Sequence, residues 1–275
     1  MNDNRRPPSV SVLMGVFYQR KDLTMLRRSV DSILRQNWED FELLICDSGS
    51  LQEASRLLEE YARKDNRVRL LHSSGRYDLA AKLNVCLREA RGRYIARMDD
   101  DDCSDTDRLS RQLQALEDHS EIAFVGCNVR LFQGDNCVGV RMMPAQPEIK
   151  DFYLVQPFIH PTLVFRREAL EAVKGYSEDP RQLLCEDYDL LLRLYAAGYR
   201  GMNLREPLLD YTIPLTAKGN RKMKHRWNEA VTRYQRFRQL GVLPGAAPYI
   251  LKPLVVQLIP ERLFVWLKSK NGANG

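Results

Sequence analysis

Apolar positions follow two alternating periods along the first hundred residues. "VSVLMGVF" (10–17), "FELLIC" (41–46), "VRLLH" (68–72) and "RYIARM" (93–98) are short runs rich in β-branched and aliphatic residues. Between them, "LTMLRRSVDSILRQ" (23–36) places Leu23, Leu26, Val30, Ile33 and Leu34 on one stripe at helical spacing. "LQEASRLLEEYARK" (51–64) and "LAAKLNVCLREA" (79–90) repeat that spacing, with Gly92 placed to end the second. Strands and helices in alternation at this spacing predict βαβ units and a mostly parallel sheet covered on both faces.

The second half predicts a helix over 107–119, a strand over 122–132, a turn at "QGDN" (133–136) and a strand over 137–143. "HPTLVFRREALEAV" (160–173) reads as strand then helix. "EDYDLLLRLYAAG" (186–198) reads as a helix that Gly198 stops, and "PLLDYTI" (207–213) closes the body. This predicts an α/β body over residues 1–215 and a C-terminal helical, amphipathic extension over 216–275. In the extension, 216–240 reads as a basic helix, "GVLPGAAP" (241–248) as a break, and 249–270 as apolar and aromatic with basic punctuation. Pro253 and Pro260 break 249–270 into two short segments.

Charge divides at the same point. From Thr216 onward there are twelve Lys/Arg against two Glu, a balance of +10. Residues 1–215 hold 30 basic and 34 acidic residues, a balance of −4. A mildly acidic body with a strongly basic tail points to a polyanionic partner for the tail. The six cysteines have no C-x-x-C pairing and read as reduced, mostly buried thiols. The N-terminal apolar run is too short for a signal peptide, and no run is long enough to span a bilayer, so a cytoplasmic location is expected.

The chemistry concentrates in "YIARMDDDDCSDTDRL" (94–109), where four aspartates follow an apolar strand. Carboxylates at the C-terminal end of a strand in a doubly wound sheet stand where such folds bind ligands. Mg²⁺ takes one or two carboxylates plus substrate phosphates, so a metal between aspartate and diphosphate would account for the charge density. A solvated acidic loop is the alternative. A calcium loop is excluded by spacing: counted from Asp99 or Asp100, neither frame has the needed Gly at its sixth position or Glu at its twelfth.

Four motifs in order, "VSVLMGVF", "FELLICDSGS", "GRYIARMDDDD" and "CEDYDLLLRL", resemble the signature of family 2 inverting glycosyltransferases with the GT-A fold. The resemblance covers about residues 8–213. It implies a single Rossmann-like GT-A domain with a nucleotide-sugar half (about 8–105) and an acceptor half (about 106–215). It implies that Gly15, Val16 and Phe17 pack on the nucleotide and that Asp47 bonds the base or ribose; the second aspartate common in that loop is replaced here by Ser48. Asp99 and Asp101 match the D-x-D pair. Asp101 would hold Mg²⁺ or Mn²⁺ against the diphosphate, with Asp99 on the ribose or the metal's water shell, and Asp100 beside the nucleotide. Asp100 and Asp102 are the spare carboxylates of a register that can slip by one. Asp187, of the Glu186–Asp187 pair, matches the base that deprotonates the acceptor hydroxyl, while Glu186 and His160 would lie near the acceptor. Both acidic residues could instead serve only to cap the helix. Lys82, Arg76 and Arg97 could offer charge to the diphosphate, and an Arg and His common near the end of the body are replaced by Thr212 and Pro214. That phosphate contact would then move to Lys218, Arg221 or Lys222.

The resemblance implies a nucleotide-diphosphate sugar as donor, a UDP-sugar foremost, and a glycan or lipid-linked acceptor in cell-surface polysaccharide synthesis. The tail interleaves basic residues with Trp227, Tyr234, Phe237, Tyr249, Phe264 and Trp266, but also with many aliphatics over 249–267, among them Leu251, Leu254, Val255, Val256, Leu258, Ile259, Leu263, Val265 and Leu267. So many aliphatics suit anionic lipid better than nucleic acid. Peripheral contact with the inner face of the cell membrane through 216–270 is therefore expected; a helical cap packed on the core is the alternative. Two other classes compete. A sugar-1-phosphate nucleotidyltransferase needs a Gly-rich basic loop after the first strand, which "GVFYQRKDL" lacks. A nucleic-acid binder built on the tail leaves the aspartates and "EDYDL" unexplained.

Overall fold

The computed structural model describes residues 6–73, 78–213 and 222–259. Its first half runs β1 (Val10–Val16), α1 (Thr24–Leu34), β2 (Phe41–Asp47), α2 (Gln52–Lys64), β3 (Val68–His72), α3 (Leu79–Glu89) and β4 (Tyr94–Met98). The second half runs β5 (Cys103–Ser104), α4 (Arg108–Asp118), β6 (Phe124–Gln133), β7 (Asn136–Arg141), β8 (Val164–Arg166), α5 (Arg167–Ala172), α6 (Glu186–Ala196) and β9 (Gly201–Thr212). The extension supplies α7 (Met223–Gln239), α8 (Leu243–Ile250) and α9 (Lys252–Leu258).

One sheet carries the strands in the order β3-β2-β1-β4-β8-β6-β9-β5, with β7 paired to β6. The first four run parallel, as the βαβ pattern predicts. Beyond β4 the sheet is mixed: β8 is antiparallel to both neighbours, while β9 runs parallel to β6. Every side chain of β1 and β2 is buried, and the strand period sorts them between two cores. Val10, Val12, Met14, Leu43 and Ile45 join the core under α1, α2 and α4. Leu13, Leu44 and Cys46 join the core under α3, α5 and α6. Truncating Leu13, Met14, Leu43, Leu44 or Ile45 to Ala should cost about 2–5 kcal/mol in urea unfolding.

Several boundaries differ from the sequence pattern. Gly92 does not end α3, which stops at Glu89; a Cβ on Gly92 would sit 2.5 Å from the Ser11 backbone nitrogen, so the glycine is needed for close approach to β1. Residues 160–162 form a 3₁₀ turn, not strand, and β8 is three residues long. "GVLPGAAP", expected as a break, contributes most of α8, with Pro244 in the first turn where its missing N–H costs nothing. β9 begins at Gly201, six residues earlier than its apolar pattern, paired there with Phe124 of β6, and the position takes glycine because a side chain would strike the Phe124 ring. All six cysteines are free thiols, four of them buried. No described helix is long and apolar enough to cross a membrane.

The extension packs on the body. Phe237 of α7 is fully buried and stacks edge-on against Tyr153 at 5.4 Å. Arg236 donates to the buried carboxylate of Asp189, which Arg193 also holds, both at 2.7 Å. Arg233 is buried and donates to the Phe152 and Tyr153 carbonyls. Part of the tail's basic charge therefore closes the core, as the helical-cap alternative requires.

Glu42 ties β1, β2 and β3 and the loop before β4 together at the sheet's N-terminal edge. Its buried carboxylate accepts from Ser11 Oγ at 2.7 Å, Arg69 at 2.9 Å and the Arg91 backbone N–H at 2.8 Å. Burial opposes its charge, but the Ser11, Arg69 and Arg91 hydrogen bonds outweigh it and hold the acid below the usual glutamate range. A depressed acid stabilises the fold above its unfolded pKa of about 4.3, and that stability fades as pH falls through the lower folded value. Glu42→Gln should thus cost about 1–3 kcal/mol in urea unfolding at neutral pH, with the gap closing in acid. A gap independent of pH would contradict this.

Candidate active site

The register of the parallel strands sets the site. Val16 pairs with Asp47, and Met14 pairs with Met98, so the C-terminal ends of β1, β2 and β4 form one edge. β4 then delivers Asp99 to Asp102 directly onto that edge. Alternation along β4 turns Arg97 to the side opposite Met98, where it is fully buried and pairs with Asp99 Oδ1 at 2.5 Å. Burial opposes the guanidinium charge, yet Asp99 holds its pKa above the ordinary value. A second buried cation, Arg108 at the start of α4, donates to the Arg97 and Pro161 carbonyls; burial lowers it to about 10.

The aspartate run is held from two sides, by α1 and by β9. Ser29 Oγ donates to the Asp99 carbonyl at 2.6 Å. Thr212, at the end of β9, donates its Oγ1–H to the Asp101 carbonyl at 2.5 Å and its N–H to Asp102 Oδ1 at 2.8 Å. The carboxylates crowd: Asp100 is pushed up to about 7 by burial, then by Asp101 and Asp99. Asp101 is pushed up to about 6 by burial and Asp99, and Asp102 well above its usual range by burial, Asp99 and Asp101.

Oxygens of Asp99, Asp101 and Asp102 lie within 4.8 Å of one another. Asp102 Oδ2 is buried with no hydrogen-bond partner among the described residues. A buried, unpaired carboxylate oxygen among like charges is costly unless a proton or cation joins it. Three hard oxygen donors at this spacing fit a divalent cation such as Mg²⁺ or Mn²⁺. Asp102, a spare in the sequence pattern, stands inside this cluster with Asp99 and Asp101; Asp100 stands outside it.

Asp47 is buried, and both its oxygens are engaged: Oδ1 accepts from Ser50 Oγ at 2.5 Å and Oδ2 from Ser55 Oγ at 2.7 Å. Ser48 is buried beside it. Gly15 makes room for α3, since a Cβ there would meet Leu79 Cδ1 at 2.9 Å. Val16 is buried and its carbonyl accepts from Lys82 Nζ at 3.1 Å, while Phe17 is exposed with that ammonium 5.5 Å from its ring. Lys82 is thus an inward cation of the site; burial lowers its pKa, against the pull of Asp100.

Asp187 stands in the first turn of α6. Its Oδ1 accepts the Tyr188 N–H at 2.8 Å and its Oδ2 accepts from Gln156 Nε2 at 3.0 Å. Glu186 lines a cavity of about 130 Å³ with Asp78, Ser177, Glu178 and Leu183. Tyr211 on β9 feels the charges of Asp99, Asp102 and Asp187, which, after burial, raise it to about 12. His160 is buried and bonds Tyr176 Oη at 2.8 Å; burial and then Arg97 push its pKa well below the usual range, leaving it neutral inside the body.

Arg76, Pro214, Lys218 and Arg221 lie outside the described residues. Lys222 is exposed at the start of α7. Sequence reasoning did not single out Ser29, Arg108, Gln156, Tyr176 and Tyr211. Their place depends on long-range pairing, for which no local motif exists.

Residues 11–174 match the Glycosyl transferase family 2 family model, and residues 94–267 match that of Glycosyl transferase family group 2. Glycosyltransferase EpsE of Bacillus subtilis is 35% identical over 254 residues, covering 92% of this chain and 90% of that protein. The O-antigen biosynthesis glycosyltransferase WbnJ of Escherichia coli is 32% identical over 209 residues, covering 74% and 79%. Among solved structures, TarS 1–349 of S. aureus superposes with a TM-score of 0.67 at 15% identity, covering 89% of this chain and 72% of that one. Mannosyltransferase PcManGT of Pyrobaculum calidifontis, in complex with GDP-Man and Mn²⁺, gives 0.60 at 18% identity, covering 98% and 80%. With its motifs, its sheet and these matches in agreement, the chain belongs to glycosyl transferase family 2 and carries the GT-A fold.

Proposed function

We propose that the protein is a metal-dependent, inverting hexosyltransferase that moves a sugar from a nucleotide-diphosphate sugar, a UDP-sugar foremost, to a hydroxyl of a glycan or lipid-linked acceptor. Its setting would be cell-surface polysaccharide synthesis on the cytoplasmic face of the membrane, with residues 216–270 in peripheral contact. The observation that carries this reading is the convergence of Asp99, Asp101 and Asp102 around a buried, unpaired oxygen at the end of β4. Relatives add support: WbnJ is named for O-antigen biosynthesis, and an Escherichia coli relative 25% identical is named a UDP-Gal:alpha-D-GlcNAc-diphosphoundecaprenol beta-1,3-galactosyltransferase. TarS has been solved with UDP-GlcNAc and with UDP.

In this reading residues 8–105 hold the donor and 106–215 the acceptor. Gly15, Val16 and Phe17 pack on the nucleoside, with Asp47 and Asp100 beside it. Asp101 and Asp99, joined by Asp102, hold the divalent cation. When bound, that ion supplies the charge that neutralises the departing diphosphate. Asp187 takes the proton of the acceptor hydroxyl on a carboxylate oxygen, and Glu186 and His160 shape the ground around it. Attack from the face opposite the diphosphate gives inversion in one displacement. Gln156 fixes the Asp187 carboxylate, so the base meets the hydroxyl already oriented.

A panel of UDP-, GDP- and dTDP-sugars with Mn²⁺, scored by thermal shift, should raise the melting temperature most for a UDP-sugar, and only with the metal. The same shift in EDTA would contradict the reading. Asp187→Asn should keep the shift but lose at least about 10²-fold in transfer; retained turnover would remove Asp187 from its role. Gln156→Ala should lower kcat about tenfold to a hundredfold with donor KM unchanged, and should cost nothing further in an Asp187→Asn background. Additive losses in the double variant would show that Gln156 acts elsewhere.

A further inference from the structure

The extension packs on the body but leaves large apolar side chains exposed on two of its helices. On α7, Met223, Trp227 and Tyr234 fall within about 40° of one another around the helix axis, and all three are exposed, Trp227 by 59%. On α9 and its first cap, Leu251, Val255 and Leu258 fall within about 60°, exposed by up to 73% at Leu258. The two helices pack together, and Arg226 of α7 reaches Gln257 of α9. Six large apolar side chains exposed on two helices that pack together are more than scattered surface residues, and a cluster of that kind marks an interaction surface.

The surface continues toward the site. Lys252 of α9 donates to the Leu154 carbonyl. Leu154 and Val155 are themselves more than half exposed. The next residue, Gln156, holds Asp187. Apolar surface therefore runs from α9 to the residue beside the one that orients the proposed base.

Charge identifies the occupant. Within 222–259 the sole acidic residue is Glu229, already paired with Arg233. Lys222, Lys224 and Arg238 are exposed on α7. Beyond Ile259 the sequence continues with Leu263, Phe264, Val265, Trp266 and Leu267 among Arg262, Lys268 and Lys270, against one acid, Glu261. Exposed aliphatic and aromatic residues flanked by an excess of cations suit the interface of an anionic bilayer.

We propose that the α7 and α9 apolar faces, with Leu154 and Val155, form one surface that lies on an anionic lipid bilayer and sets Asp187 beside the headgroup layer. A lipid-linked acceptor then meets the base without leaving the membrane. The docking stands on the surface alone; only its bearing on acceptor delivery rests on the role given to Asp187.

The test uses the full chain, without donor, in flotation with phosphatidylcholine vesicles and with vesicles that also contain phosphatidylglycerol. Binding should favour the anionic vesicles and weaken with salt. The double variant Trp227→Ser/Leu258→Ser should bind at least about tenfold more weakly, and Lys224→Gln and Arg238→Gln roughly fivefold more weakly each. Trp227→Ser/Leu258→Ser should transfer normally to a soluble acceptor and poorly to one embedded in vesicles. Vesicle binding without any transfer would sink the catalytic reading and leave the docking intact. Variants that bind vesicles like the parent, or a dimer that Trp227→Ser dissociates, would overturn the docking; the dimer would give this face to a second copy of the chain.

Discussion

A run of four aspartates at the end of a buried strand is tolerable only where positive charge is placed among them. Arg97 supplies the first portion. It is fixed in β4 two residues before Asp99, so the same strand that delivers the carboxylates delivers their counter-charge beneath the sheet edge. Arg108 and Lys82 are buried on other elements near the run, and Thr212 and Ser29 fix its backbone. Burial first, and then the mutual repulsion that these cations leave uncompensated, raises the proton affinity of Asp100, Asp101 and Asp102. A site so arranged favours a small, doubly charged cation, and through it a diphosphate that the bare carboxylates would repel.

The sequence made the first half of the fold legible because each strand and helix there is complete in its own period. β1, β2, β3 and β4 lie within a residue or two of their apolar runs, and the helices between them bury the stripes that the spacing marks. The second half was less legible. The 3₁₀ turn at His160, the short β8 and the early start of β9 at Gly201 answer to packing against Phe124 and its neighbours, which have no local signature. The GT-A fold was legible through four motifs in order, none of which suffices alone.

The candidate site divides the same way. The aspartate run and the Glu186–Asp187 pair were visible as charge in unexpected places. Thr212 and Gln156 were not: their hydrogen bonds reach Asp101, Asp102 and Asp187 across more than thirty residues of sequence. Asp102 was visible only as a spare carboxylate, and the backbone bond from Thr212 gives it a fixed place beside Asp99 and Asp101. The tail, too, was half legible. Its charge excess was plain, but pairing of Arg236 with Asp189 and burial of Arg233 show that some of that charge serves the core.

The central claim is that the β4 carboxylates form a divalent-cation site whose geometry Arg97 and Thr212 set before any donor arrives. Titration of Mn²⁺ into the donor-free protein, followed by electron paramagnetic resonance, tests it most directly. The account predicts one saturable Mn²⁺ per chain, lost in Asp101→Asn and in Asp102→Asn while both variants stay folded. Unchanged Mn²⁺ binding in both variants, or none in the parent protein with or without UDP, would contradict it.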